Sequence, residues 1–236
     1  MSPSPKWWLG TVASLLGIGV AVAACAWQWG RGVEKDRLAE QADRAARAAP
    51  LELPLARSAG QAFLYRRVIA NGVFVAAATV FTDNQVREGR PGYLVFSALR
   101  LSNGRHVLVK RGWVAGDPVT REPPAVPTPA GVVGLTGIAL SPAPRFFELG
   151  AAPLTGQVWQ NVTVARFEER FGLEFEPLIL EQHTTLGDGL DRAWPKAVSP
   201  SSKHYGYAFQ WGALAILIVV FNVLYRFRSR ADPRTP

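Results

Sequence analysis

Two stretches of this chain, residues 7 to 27 (WWLGTVASLLGIGVAVAACAW) and 207 to 225 (YAFQWGALAILIVVFNVLY), contain no charged side chain. Each is close to the ~20 residues an α-helix needs to cross bilayer hydrocarbon. They lie near the two ends of a 236-residue chain, so whatever folds between them is expected to be tethered to lipid at both ends. The first run also fits a secretion signal, because Lys6 precedes it and Val22-Ala23-Ala24-Cys25 suits a lipoprotein cleavage box; its length favours a retained anchor. Cys25 is the only cysteine, which excludes an internal disulfide and a cysteine zinc site.

Basic residues orient such spans. Arg226, Arg228, Arg230 and Arg234 follow the second run and mark a cytoplasmic C-terminus, and two spans then put the N-terminus on the same side. Arg31, Lys35 and Arg37 follow the first run on the other side, a placement that long translocated domains tolerate. No Arg-rich, Ser-rich transit stretch precedes the first run, so a bacterial plasma (inner) membrane is the expected compartment. The formal charge of +8 is spread through the middle segment or flanks the spans, without a groove-reading motif, and this argues against a nucleic-acid partner. The expected layout is a cytoplasmic N-terminus 1–6, a first span 7–27, an extracytoplasmic domain 28–204, a second span 205–225 and a basic cytoplasmic tail 226–236.

Residues 28–48 are rich in helix formers, with Glu40 and Arg44 four apart, so the first span should continue as a solvated helix until Pro50 and Pro54 stop it. Beyond it the pattern changes to short β-type runs at 62–70, 72–81, 93–101, 105–114, 131–140 and 157–165. Asn103-Gly104 predicts a two-residue hairpin turn between the third and fourth runs. Residues 117–130 (DPVTREPPAVPTPA) hold five prolines and should form an extended surface connector. A short helix is expected near 166–171. The fold class is therefore an α+β membrane protein, with two transmembrane helices flanking one antiparallel β-rich domain. Whether that sheet closes as a barrel or packs as a sandwich stays open at this point.

Three histidines are the natural candidates for chemistry. His106 falls inside a predicted strand and His183 in a polar turn, and neither has metal-ligand spacing. His204 sits at the outer threshold of the second span, where a polar ring must be hydrated, hydrogen-bonded or bound to something. At 3.6 residues per turn His204, Ala208, Trp211, Ala215, Ile218 and Asn222 make one stripe, with Tyr207 beside it. On the first span Gly10, Ser14, Gly17, Ala21 and Ala24 make a stripe of small residues whose extension reaches Gln28 and then Arg31. Antiparallel packing of the two stripes would bring a donor from Gln28 and the Arg31 cation to the level of His204, inside a ring of Trp27, Trp29, Tyr205, Tyr207 and Trp211. Two readings suit that arrangement: helix packing under an aromatic interface belt with no ligand, or a haem whose iron takes the imidazole and whose carboxylates meet a guanidinium. Arg111-Gly112-Trp113 likewise has two readings. Gly112 permits a bulge that aims Arg111 and Trp113 at a partner or a haem edge, or the three close the core.

Taken in order, Trp27-Gln28 with Arg31 and Lys35, Tyr65-Arg66-Arg67-Val68 followed by Gly72 and Phe74, Arg90-Pro91-Gly92-Tyr93, the run Val107 to Val114, and His204 with Tyr207, Ala208, Gln210 and Trp211 resemble the Surfeit-locus cytochrome oxidase assembly factors. Lys110 stands where that family usually has asparagine, Ser202 and Lys203 where asparagine is common, and Gly212 where phenylalanine is usual. The resemblance implies a non-enzymatic role in assembling a haem-copper oxidase, supporting insertion of haem a into its catalytic subunit. It also implies that His204 is the residue bound to haem iron. Tyr207, Trp211, Gln28, Arg31 and Arg111 are then the other expected cofactor-binding residues. The implied partners are the oxidase catalytic subunit, the haem a synthesis machinery and membrane lipid. A cofactor-free scaffold that stabilises assembly intermediates is the alternative. An enzyme built on Ser201, Ser202, Lys203 and His204 lacks a Gly-x-Ser-x-Gly elbow and a spaced acid to orient the histidine.

Overall fold

The computed structural model describes residues 5–55, 63–117, 122–143, 156–195 and 200–231. The chain divides into two compact units, Ala42–Pro195 and the terminal segments Met1–Gln41 with Lys196–Pro236. The ends of the chain and residues 118–121 of the proline-rich connector lie outside the described residues.

The terminal unit is helical. α1 runs from Pro5 to Arg47 and α3 from Ser202 to Ala231, and both are long and apolar enough to cross a membrane. As expected, α1 continues past its apolar run and ends before Pro50. Trp8 and Trp27 on α1 are exposed, as are Tyr207 and Tyr225 on α3. Along each axis these aromatic residues are about 27–28 Å apart at 1.5 Å per residue, close to the thickness of bilayer hydrocarbon, which suits interfacial belts.

The other unit is built on a mixed sheet: β1 (Leu51–Glu52), β2 (Arg67–Thr82), β3 (Gly92–Leu101), β4 (His106–Ala115), β5 (Val132–Leu140), β6 (Val158–Trp159) and β7 (Phe175–Gln182), with α2 (Val164–Phe171) between the last two strands. β2, β3, β4, β7 and β5 pair in that order, and β5 pairs back onto β2, so the sheet closes into a five-stranded barrel. This resolves the barrel-or-sandwich question. It also corrects the expectation of a purely antiparallel sheet, because β4 and β7 are parallel. Parity requires it: directions cannot alternate all the way round a closed ring with an odd number of strands.

β2 is one continuous strand of 16 residues where two runs are expected from the sequence. Its first half pairs with β5 and its second half with β3, and Gly72 pairs with both. A Cβ there would stand 2.3 Å from the Arg100 carbonyl oxygen, so only glycine allows the strand to be shared at this point. β7 is not among the expected strands, because Glu176 and Pro177 interrupt its apolar pattern. Pro177 is exposed at a register shift opposite β4, where a missing N–H breaks no regular ladder. The hairpin between β3 and β4 forms as expected, but with a longer turn: Leu101 N–H donates to the Arg105 carbonyl at 2.8 Å, Gly104 N–H donates to the Leu101 carbonyl, and of Asn103 and Gly104 only the glycine has positive φ (83°). A two-residue primed turn would need positive φ at both.

Strand alternation divides the apolar side chains between two cores. Val68, Ala70, Leu99, Leu101, Val107, Val109, Leu178 and Leu180 share the barrel interior with Phe74 and Leu135. Phe96, Ala98, Leu108 and Ile179 face outward and are covered by α2 with Trp159. Phe167 on α2 is completely buried, its ring 5.2 Å from Trp159 and 5.9 Å from Phe175. The helix begins at the Thr163 cap, whose hydroxyl accepts from Arg166 N–H, so the expected short helix starts slightly earlier than residue 166. Of the six β-type runs, 157–165 yields only the two-residue β6 before this helix.

Candidate functional site

The site read from the sequence lies within the helical unit, and two alanines make its geometry possible. Ala21 on α1 and Ala208 on α3 are 1% and 2% exposed, and Ala215 is buried one turn pair further along. Small side chains at a crossing let two backbones approach closely. A Cβ added to Gly17 would stand 3.5 Å from Ile218 Cδ1, and one added to Gly212 would stand 3.5 Å from Cys25 Sγ. The stripe on α3 is the expected one: His204, Trp211, Ile218 and Asn222 are half-buried between the more exposed faces of the helix. On α1 the half-buried positions include Ser14, Gly17, Ala24 and Gln28 around Ala21, whereas Gly10 is exposed.

Where the stripes reach their outer end, His204 Nδ1 lies 2.8 Å from Gln28 Oε1 in a half-buried hydrogen bond. One turn on, α1 presents Gly32, not Arg31. A Cβ on Gly32 would sit 2.7 Å from Tyr205 Cε1, so glycine admits the ring. Tyr205 then donates its hydroxyl to Asp36 Oδ2 at 2.7 Å, and its ring meets Trp29 edge-on at 5.0 Å. Hydrogen bonds from Ser201 and Tyr205 hold the Asp36 carboxyl below the usual carboxylate range. This clasp is the part that sequence reasoning missed. Its signal was a glycine four residues after Gln28, where an i+3 step had led to Arg31.

The six expected cofactor-binding residues are therefore not all gathered together. Gln28 and His204 are bonded, and Trp211 is on the shared stripe. Tyr207 is 53% exposed. Arg31 is also exposed and pairs with Glu34 of its own helix at 2.6 Å, which corrects its expected place on the contact face.

Arg111 belongs to the barrel unit and is completely buried. It is the extra residue of a bulge, since Val95 pairs with Gly112 and Phe96 with Lys110. The guanidinium lies over Phe74 and donates to the Pro127 carbonyl at 2.7 Å and to Asp188 at 3.0 Å. Arg192 donates to both oxygens of the same carboxylate, at 2.8 and 2.7 Å. The anionic partner expected for Arg111 is thus supplied from inside the chain, and the core-closing reading of Arg111-Gly112-Trp113 is the one realised. Gly112 is needed because a Cβ there would meet Leu190 at 2.6 Å, where residues 188–195 strap across β4 through the Trp113–Asp191 bridge. Burial alone would raise the Asp188 carboxyl, but hydrogen bonds from Arg192 and Arg111 outweigh it and hold the group below its ordinary range. Lys110 pairs with Glu181 at 2.8 Å and its ammonium lies 4.2 Å above the Trp194 ring. His106 is buried against Phe175, and His183 lies 3.5 Å from Glu181.

The helix pairing predicts a crosslink. In Gly212→Cys, mild oxidation is expected to form an intrachain disulfide with Cys25, because the new Cβ starts 3.5 Å from that sulfur and no other cysteine competes. Loss of both thiols in the monomer, read by mass spectrometry, is the expected result, and Leu214→Cys, on an exposed face, should remain reduced. Only intermolecular products would show that the two segments do not pair in this register.

Among known proteins, the model of the SURF1 family matches residues 15–216 of the chain, and no curated protein matches it.

Proposed function

The chain belongs to the SURF1 family of cytochrome oxidase assembly factors, which are not enzymes, and from that premise we propose that it holds haem a transiently at the outer end of the α1–α3 pair and assists its insertion into the catalytic subunit of a haem-copper oxidase. The observation that carries this reading is His204. Its ring is half-buried at the end of an apolar helix, one nitrogen is held by Gln28, and Nε2 has no hydrogen-bond partner among the described residues. A bound haem would supply an iron able to take an imidazole nitrogen. His204 would provide that nitrogen, and Trp211 and Tyr207 would flank it with apolar surface. Arg31, at 45% side-chain exposure, would turn from Glu34 to a propionate carboxylate. A ligand held by one histidine at an open interface is released more readily than one enclosed in a permanent cytochrome, as handover requires.

The same reading places both termini in the cytoplasm and the Ala42–Pro195 unit outside a bacterial plasma membrane. The arginines after the second apolar run support this orientation. The barrel would offer the docking surface for the oxidase subunit.

Expression in a host that makes haem a, purification in mild detergent and a pyridine haemochrome spectrum test the proposal. Haem a co-purifying with the chain is the expected result. A colourless protein from haem-replete cells that still restores oxidase assembly would replace it with the cofactor-free scaffold.

A further inference from the structure

We propose that Gln28 is a positioning residue: it selects the tautomer of His204 that leaves Nε2 free as a lone-pair nitrogen. The inference rests on the ligand reading of His204 for its purpose, but not for its chemistry. An amide oxygen can only accept a hydrogen bond, so the 2.8 Å contact between Gln28 Oε1 and His204 Nδ1 puts a proton on Nδ1. In a neutral imidazole the other nitrogen then has none and is the one able to bind a metal. Metal-binding histidines generally have the remote nitrogen held in this way by an acceptor, which fixes the ring's orientation and raises the basicity of the ligating atom. Here the acceptor comes from the other helix.

This role differs from the donor expected of Gln28 in the sequence. It also explains why the outer clasp is so tightly made. Gly32 admits the Tyr205 ring, and Tyr205 and Ser201 bind Asp36, so α1 and α3 are locked in register within about two turns of the Gln28–His204 bond. A slip of one residue would turn the amide about 100° away from the imidazole and leave the tautomer unselected.

The experiment is ¹⁵N NMR of histidine-labelled full-length protein in detergent micelles, without haem, at alkaline pH where imidazoles are neutral. With only three histidines in the chain, the His204 signals are assigned by their absence from His204→Ala. In the wild type, Nδ1 should resonate as a protonated nitrogen and Nε2 as an unprotonated one. Gln28→Leu should abolish that assignment or reverse it, and Gln28→Glu, whose carboxylate also accepts, should restore it. A proton found on Nε2 in the wild type, unchanged shifts in the leucine variant, or failure of the glutamate to rescue would each overturn the proposal. Because the spectra contain no haem, a protein that keeps the Nδ1–H tautomer yet takes up no haem refutes the ligand reading and still supports the positioning role.

Discussion

His204→Ala is expected to lower the haem content of the purified protein by tenfold or more, a loss of at least ~1.4 kcal/mol of binding. The substitution removes the candidate iron-binding nitrogen while keeping a residue of high helix propensity at that position. Ala208, Ala215 and Gly17 would still hold the two helices together, so the Cys25 crosslink to Gly212→Cys should form equally well in the double variant. That control separates lost ligation from lost packing. Oxidase yield in a strain dependent on this protein should fall with haem content. Unchanged haem content in a variant that still crosslinks would show that His204 is only a packing residue.

Asp188→Ala is expected to destabilise the barrel by about 3–5 kcal/mol, the usual cost of removing one partner of a buried ion pair. Arg111 is fully buried, and its Nε and Nη1 already have no hydrogen-bond partner in the structure. Without Asp188 it would retain only the Pro127 carbonyl, and Arg192 would lose both of its carboxylate bonds. Hydrogen exchange of the β3 and β4 amides reports on this unit without interference from the helices. Exchange that requires barrel opening should speed up by about two to four orders of magnitude, at ~1.4 kcal/mol per factor of ten. The pH dependence has a definite sign. A carboxyl held below its ordinary value contributes stability above that range and loses it as the pH falls through the folded-state value, so the wild-type barrel should weaken in acid while the alanine variant responds less. A variant with wild-type exchange rates would mean that the Asp188 ion pairs contribute nothing to the stability of the barrel.

The helical unit was far more legible than the barrel. Every member of the α3 stripe, from His204 to Asn222, was readable from helical spacing, because a helix face depends only on residues three and four apart. On α1 the same logic held from Ser14 to Gln28, missing at Gly10, and then chose the wrong step, since i+3 and i+4 both continue a stripe and only the partner helix shows that Tyr205 needs a glycine. In the barrel, strands with regular apolar alternation were legible. β7 was not, because its charged residues and Pro177 make sense only opposite the bulged register of β4. Arg111 stayed open between two readings for a similar reason: a cation in a strand suits either a ligand or the core until its carboxylate, 77 residues further on, is placed beside it.

Apolarity over about 20 residues, helical periodicity, basic flanks and turn chemistry are properties of neighbouring residues, and the sequence alone determined them: two candidate membrane helices around a β-rich segment, with a histidine at the mouth of one. Barrel closure, the burial of Arg111 against Asp188 and the contact of Gln28 with His204 were decided only by tertiary structure. Each joins groups from distant parts of the chain, and their pairing is chosen by which arrangement leaves the fewest buried charges and backbone groups unsatisfied.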